Sequence, residues 1–308
     1  MVDVNYTFFL SLIIIVIGFI IKRLKIVSID DGKVIARIVF NVTLPAVILS
    51  VIPYINVDLT LGLIPLIALI YGLVVLGFAY IYLRKSPQKL KGLMLMSVIG
   101  FNVGHFAYPL IQGIWGNTGL QYIAMFDIGN AIIVFGVSYI IGLTFSKVRD
   151  SSEEKNVLKN ILKQLLKSVP LMTYVVAIVI NLANIQIPIF IGDVVAVLSN
   201  ANRALTLLLL GIFLDFHFEK SQWKNVTKVL LIRYAFGLTI GLTLFYLLPF
   251  NLLYREILAI ALILPIGLAV IPFTVEFKFD EKMSGMMTNL SIIISFSLIW
   301  VLIIILGS

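Results

Sequence analysis

Apolar residues run through this chain in long blocks, with little of the alternation of polar faces that a soluble core needs. Ten blocks can be drawn, at 4–21, 34–52, 59–83, 92–115, 120–145, 169–183, 189–214, 226–248, 256–277 and 283–306. Most approach the ~20 residues that an α-helix needs to cross a ~30 Å hydrocarbon layer. In lipid every backbone polar group must be satisfied internally, so blocks of this kind fold as helices. The stretches between them are short and hold Pro, Asn, Gly or charge, and the longest, 146–168, is the only seam. The pattern predicts an all-α polytopic membrane protein with ten transmembrane helices and no separate soluble domain.

Composition agrees. Of 308 residues, 61% are hydrophobic and 12% charged, against about 25% charged in an ordinary globular domain. The mean hydropathy is +1.10. These values exclude a soluble enzyme, a nucleic-acid-binding domain and a disordered chain. The first block has no basic segment ahead of it and no small-residue cleavage site after it, so it reads as a retained helix, not a signal peptide. The absence of cysteine removes disulfides, thiolate metal sites and cysteine nucleophiles. Two histidines, His105 and His217, leave little for a histidine metal centre. There is no H-E-x-x-H, no phosphate-cradling loop and no acid pair on facing helices. We therefore expect no enzyme activity, no metal and no cofactor.

The net charge of +8 reads differently once the basic residues are placed. Nineteen of the 23 lie in or beside alternate loops, on one side of the predicted spans; the other four are Arg37, Arg203, Arg233 and Arg255. The positive-inside rule puts the crowded side in the cytoplasm. That gives a multi-pass protein of the cell membrane with both termini extracellular. Arg37 and Arg233 read as anchors reaching for the cytoplasmic interface. Lys155, Lys159, Lys163 and Lys167 recur every four residues, with Leu158, Ile161, Leu162, Leu165 and Leu166 opposite. Such a helix suits either the anionic surface of the inner leaflet or a solvated extension of span six.

Two spans are interrupted. The fourth carries Phe101-Asn102-Val103-Gly104 with Pro109 beyond, and the ninth carries Pro265-Ile266-Gly267 with Pro272 beyond. The offset 265 − 102 = 163 maps each of the first five spans onto one of the second five, in order. With five spans per half, such a repeat is inverted: residues 1–150 form one half and 151–308 the other. Matched discontinuous helices in the two halves of a repeat point to a transporter's binding site, because only a cavity or ligand satisfies their loose backbone groups. Half-helix N-termini after such breaks favour an anion.

The residues Val39-Phe40-Asn41-Val42-Thr43-Leu44-Pro45-Ala46, Gly100-Phe101-Asn102-Val103-Gly104 with Tyr108-Pro109-Leu110, and Trp115-Gly116-Asn117-Thr118-Gly119 resemble motifs of the auxin efflux carrier family. So do Ile185-Gln186-Ile187-Pro188, Leu207 to Gly211 and the stretch from Pro265 to Pro272. The resemblance implies two inverted five-helix repeats with crossing fourth and ninth helices, as in bile-acid symporters and sodium–proton antiporters. It also implies a scaffold of helices 1, 2, 6 and 7, a moving transport domain of helices 3–5 and 8–10, and a homodimer. Plant members have a proline where this chain has Phe101, and a seventh-helix proline where it has Ala204 beside Arg203. The short central loop matches prokaryotic members, which are associated with malate, malonate and similar carboxylates.

On this basis Asn102, Val103, Gly104, Pro265, Ile266, Gly267, Asn41 and Pro45 are expected to bind an organic anion, with Asn102 donating its amide to a carboxylate. Thr43 belongs with Asn41 and Pro45 in kinking the second helix. Asp127, a carboxylate inside span five, is the candidate for coupling to a proton or sodium ion; its alternative is a hydrogen bond to the crossover backbone or to Asn130. His105 is a second proton candidate. Arg203 reads equally as anion ligand or structural arginine. The expected function is an elevator-type secondary transporter of organic anions such as carboxylates or auxin-like acids. The alternatives are a cation antiporter or bile-acid-type symporter of the same architecture, a non-transporting membrane sensor, or a passive channel. Membrane lipid is the other expected partner, and nucleic acid is not one.

Overall fold

A computed structural model describes residues 4–55, 58–146, 157–216 and 219–306; Lys155 and His217, singled out above, lie outside these. The described residues are helical almost throughout, with no β-strand beyond one isolated bridge. Among the described residues, seven helical runs are long and apolar enough to cross a membrane: Val4–Arg23, Ile29–Tyr54, Leu59–Tyr82, Val103–Phe145, Ile189–Phe213, Lys220–Leu247 and Glu281–Leu306. The fourth of these is two helices joined at Gly116, where φ is +59°. That conformation is open to glycine at little steric cost.

The helices divide into two units, each drawing on both halves of the chain. The first comprises the described parts of Met1–Gly62, Val103–Met125 and Lys167–Leu214; the second, those of Leu63–Asn102, Phe126–Leu166 and Asp215–Ser308.

In the first unit, α1 (Val4–Arg23) lies against α10 (Ile189–Phe213). Gly18 and Gly211 meet there, and a Cβ on Gly211 would lie 2.9 Å from the Gly18 Cα and would strike the Ile15 carbonyl. The second predicted span is one bent run. A capping box at Ser28 and Asp31 opens α2 (Ile29–Ile38), a wide π-type turn covers Val39–Thr43, and α3 (Leu44–Val51) follows. Pro45 explains the wide turn, because its ring displaces the carbonyl four residues back and it offers no N–H. α3 meets α10 along a polar seam, in which Thr43 Oγ1 donates to Asn202 Oδ1 at 2.8 Å and Ser50 and Ser199 pair at 3.2 Å.

α9 (Val169–Leu182) closes this unit. Its Asn181 shares one amide among the carbonyls of Ile52, Pro53 and Ile55, at 3.1, 3.0 and 2.7 Å. These carbonyls lie where the helical run ends and its N–H groups run out, although Ile52 O also accepts from Ile55 N–H at 3.5 Å. Asn181→Leu is expected to cost about 2 kcal/mol, seen as a Tm lower by roughly 4–8 °C in thermal melts of the purified protein.

The second unit holds α4 (Leu59–Tyr82) from Leu63 onward, α5 (Gln88–Val98), the end of α6 (Tyr108–Ala131) and α7 (Ser138–Phe145). It also holds α11 (Trp223–Leu247), α12 (Leu252–Ala261), α13 (Val270–Glu276) and α14 (Glu281–Leu306). Between α5 and the next helical turn the chain is extended at residues 99–102, and between α12 and α13 it leaves helical geometry at 262–269. These are the two interruptions predicted above.

α8 (Val157–Lys167) carries exposed Lys159, Lys163 and Lys167, and Leu162 and Leu166 are also more than half exposed. Its apolar side is thus left uncovered at these two leucines.

A candidate site at two broken helices

The interruptions meet within the second unit. Gly100, at φ +73°, turns the end of α5 into an extended stretch. Phe101 then pairs antiparallel with Ile266, and Asn102 N–H donates to the Pro265 carbonyl at 2.9 Å. Gly267 permits the approach, since a Cβ there would lie 3.3 Å from the Phe101 carbonyl oxygen. Each broken segment thereby satisfies part of the other's backbone, which lipid cannot do.

Side chains meet several of the remaining groups. Asn130, near the end of α6, accepts from Phe101 N–H at 2.8 Å and donates to the Phe101 carbonyl at 3.0 Å, much as a neighbouring strand would. The same amide donates to Asp127 Oδ1 at 3.0 Å. On the other segment, Ser291 of α14 accepts from Ile266 N–H at 3.0 Å and Ser295 donates to the Ile263 carbonyl at 2.7 Å. Tyr234 of α11 holds this pair, donating to the Ser291 carbonyl and bonding the Ser295 hydroxyl, both at 2.8 Å.

The C-terminal ends of α5 and α12 bring unpaired carbonyls and partial negative charge to the same place. Arg233 answers both. It is fully buried, and its Nε and Nη2 donate to Leu264 O at 3.1 and 2.8 Å. Nη2 also reaches Pro265 O at 2.9 Å, while Nη1 reaches Val98 O at 3.0 Å and Ser97 O at 3.4 Å. The guanidinium carbon lies 4.3 Å from the centre of the Phe101 ring. Arg233 is therefore no interfacial anchor, contrary to the expectation from sequence. Two converging helix ends repay its desolvation, and a side chain held by four carbonyls has no reason to reach for water.

Asn102 is buried, as are Pro265, Ile266 and Gly267 beside it. Asp127 is buried with Asn130 on it, the hydrogen-bonded alternative entertained above. The hydroxyls of Tyr71 and Thr288 are also buried in this unit, with no hydrogen-bond partner among the described residues. The Tyr71 ring packs 5.7 Å from that of Phe101.

The other expected site residues belong to the first unit. Val103 and Gly104 open the wide turn Val103–Ala107 that precedes Pro109, and a Cβ on Gly104 would meet a Leu44 methyl at 2.8 Å. His105 is buried, stacks on Phe40 with centroids 6.2 Å apart, and is hydrogen-bonded to the Ala36 backbone. Asn41 is exposed and donates to the Arg37 carbonyl at 2.8 Å, while Pro45 is buried at the bend. Arg203 packs its guanidinium on Gly113, whose carbonyl accepts from Thr7 Oγ1 at 3.3 Å.

Sequence reasoning missed Arg233, Ser291 and the backbone role of Asn130. The available signal for Asn130 was an amide one turn from an intramembrane acid. For Arg233 it was a charge flanked by Leu230, Leu231, Ile232, Tyr234, Ala235 and Phe236.

Among known proteins, a family model described as "Membrane transport protein" matches residues 8–305. The chain is similar to an uncharacterized transporter of Methanothermobacter thermautotrophicus, 24% identical over 291 residues, covering 92% of each chain. It is also similar to an uncharacterized transporter of Methanocaldococcus jannaschii, 27% identical over 215 residues, covering 66% of this chain and 67% of that protein.

Proposed function

The chain belongs to the membrane transport protein family, and from that premise we propose that this multi-pass membrane transporter is a secondary carrier of organic anions that binds its cargo at the crossover in the second unit. One observation carries the proposal: the Phe101–Ile266 pairing, which holds the buried Asn102 beside two interrupted helices. An amide can donate to a carboxylate, and backbone dipoles freed at broken helices recognise charge where lipid cannot solvate it. Pro265, Ile266 and Gly267 supply the facing backbone. The resemblance to auxin efflux carriers favours small carboxylates such as malate or malonate, or aromatic acids such as indole-3-acetate.

In this reading the ten predicted spans form two inverted five-helix repeats, with broken fourth and ninth helices. Two parallels support this: the interruptions recur at an offset of 163 residues, and α6 and α14, in the fifth and tenth spans, each send a polar side chain to the crossover backbone. In an elevator-type cycle the predicted helices 3–5 and 8–10 move as a body, while helices 1, 2, 6 and 7 stay fixed and make the homodimer. Asp127 then couples the cycle to a proton, and both termini are extracellular.

The test is counterflow of labelled malate, malonate and indole-3-acetate in proteoliposomes, for wild type and Asn102→Ala. The variant is expected to lose at least about tenfold in apparent affinity, the worth of a charge-assisted hydrogen bond, with a cooperative melting transition retained. Equal affinity in the two proteins would remove Asn102 from the site.

A further inference from the structure

We propose that Arg233 is a built-in counter-cation: it fills permanently the place at four converging carbonyls that a metal cation would otherwise take, and so makes the crossover specific for anionic cargo. This rests on the anion-carrier reading for its cargo, though not for its first test.

Unwound carbonyls and half-helix C-terminal ends are the groups with which discontinuous membrane helices coordinate sodium or protons. Here the oxygens of Ser97, Val98, Leu264 and Pro265 all turn onto one guanidinium. Guanidinium is planar, keeps its charge, and its fork of N–H groups engages several acceptors at once. Every hydrogen bond that Arg233 makes goes to a neutral carbonyl, and no carboxylate among the described residues pairs with it. Dipoles, not an acid, therefore balance its charge. A second cation at the same carbonyls would meet a fixed positive charge within contact distance, whereas a carboxylate at the crossover meets that charge as an attraction. The cation comes with the fold, so the anion needs no metal companion.

Thermal melting of the purified protein, which uses no substrate, tests the first half. Wild type is expected to melt at the same temperature in sodium chloride and in choline chloride of equal ionic strength. Arg233→Ala is expected to melt well below wild type and to recover at least half of that loss with guanidinium at about 20 mM, far under the molar range that unfolds proteins. Urea, neutral and of the same shape, should not restore it. Equal rescue by urea, or none by guanidinium, overturns the proposal. If the alanine variant does not fold, Arg233→Lys and Arg233→Met decide: folding of lysine alone supports a required charge, and equal behaviour of the two overturns it.

Carboxylate counterflow tests the second half, with a wild-type rate expected to be the same in sodium and in choline. A sodium requirement would overturn the role given to Arg233 while leaving the anion carrier standing. No counterflow of any carboxylate would instead sink the carrier reading, and the melting results would still judge Arg233.

Discussion

Asn130→Leu is expected to cost about 3–6 kcal/mol, enough to leave little folded protein. Leucine matches asparagine in size, so the loss falls on hydrogen bonding rather than packing. It strands the Phe101 N–H and carbonyl, which Asn130 meets at 2.8 and 3.0 Å, and removes the donor on Asp127. A buried polar group left unpaired costs about 1–3 kcal/mol, more if charged, and a domain's total stability is only about 5–15 kcal/mol. Asp127→Asn, which keeps a hydrogen-bonding partner for Asn130, is expected to melt within a few degrees of wild type. Thermal melting of both variants in one detergent checks the contrast. An Asn130→Leu protein as stable as wild type would mean that the Phe101 backbone finds other partners.

The second large effect is expected in the first unit. A Cβ on Gly211 would strike the Ile15 carbonyl and crowd Phe19 N at 2.7 Å. The obstacle is backbone on another helix, so α1 and α10 must separate along their shared face. Gly211→Val is accordingly expected to cost about 3 kcal/mol or more, at the upper end of overpacking penalties. Gly192, on the same helix, has nothing within 4 Å of its Cβ position. Gly192→Ala is therefore expected to be neutral, or stabilising by a few tenths of a kcal/mol through helix propensity. Similar melting of the two variants would show that the close approach does not set the stability of this unit.

The interruptions were legible in the sequence because glycine and proline announce them directly: Gly100 and Gly104 around one, Pro265 and Gly267 at the other. The place of Asn102 at one break was legible because an amide in an apolar run needs a reason. The bend at Pro45 follows from proline chemistry alone. What hydropathy does not report is how a span is rotated about its own axis. Arg233 follows Lys228 by five residues, and in one dimension both look like anchors near a cytoplasmic end. Only the convergence of α5 and α12, far apart in sequence, makes a buried guanidinium favourable. Ser291 was silent for the same reason, since one serine in an apolar helix looks like any other. His105 and Asn41 were noticed for their chemistry, yet each bonds within its own unit, to the Ala36 backbone and to the Arg37 carbonyl. Spacing along the chain carries no trace of either bond.

The most direct measurement is whether the purified wild-type protein, alone in proteoliposomes, exchanges a labelled carboxylate across the bilayer. Counterflow reads this whether or not the cycle moves net charge. The expected result is saturable exchange of at least one carboxylate from the malate, malonate and indole-3-acetate panel, competed by other carboxylates and not by sodium. Exchange of sodium or protons with no carboxylate moving would contradict it and assign the crossover to cations.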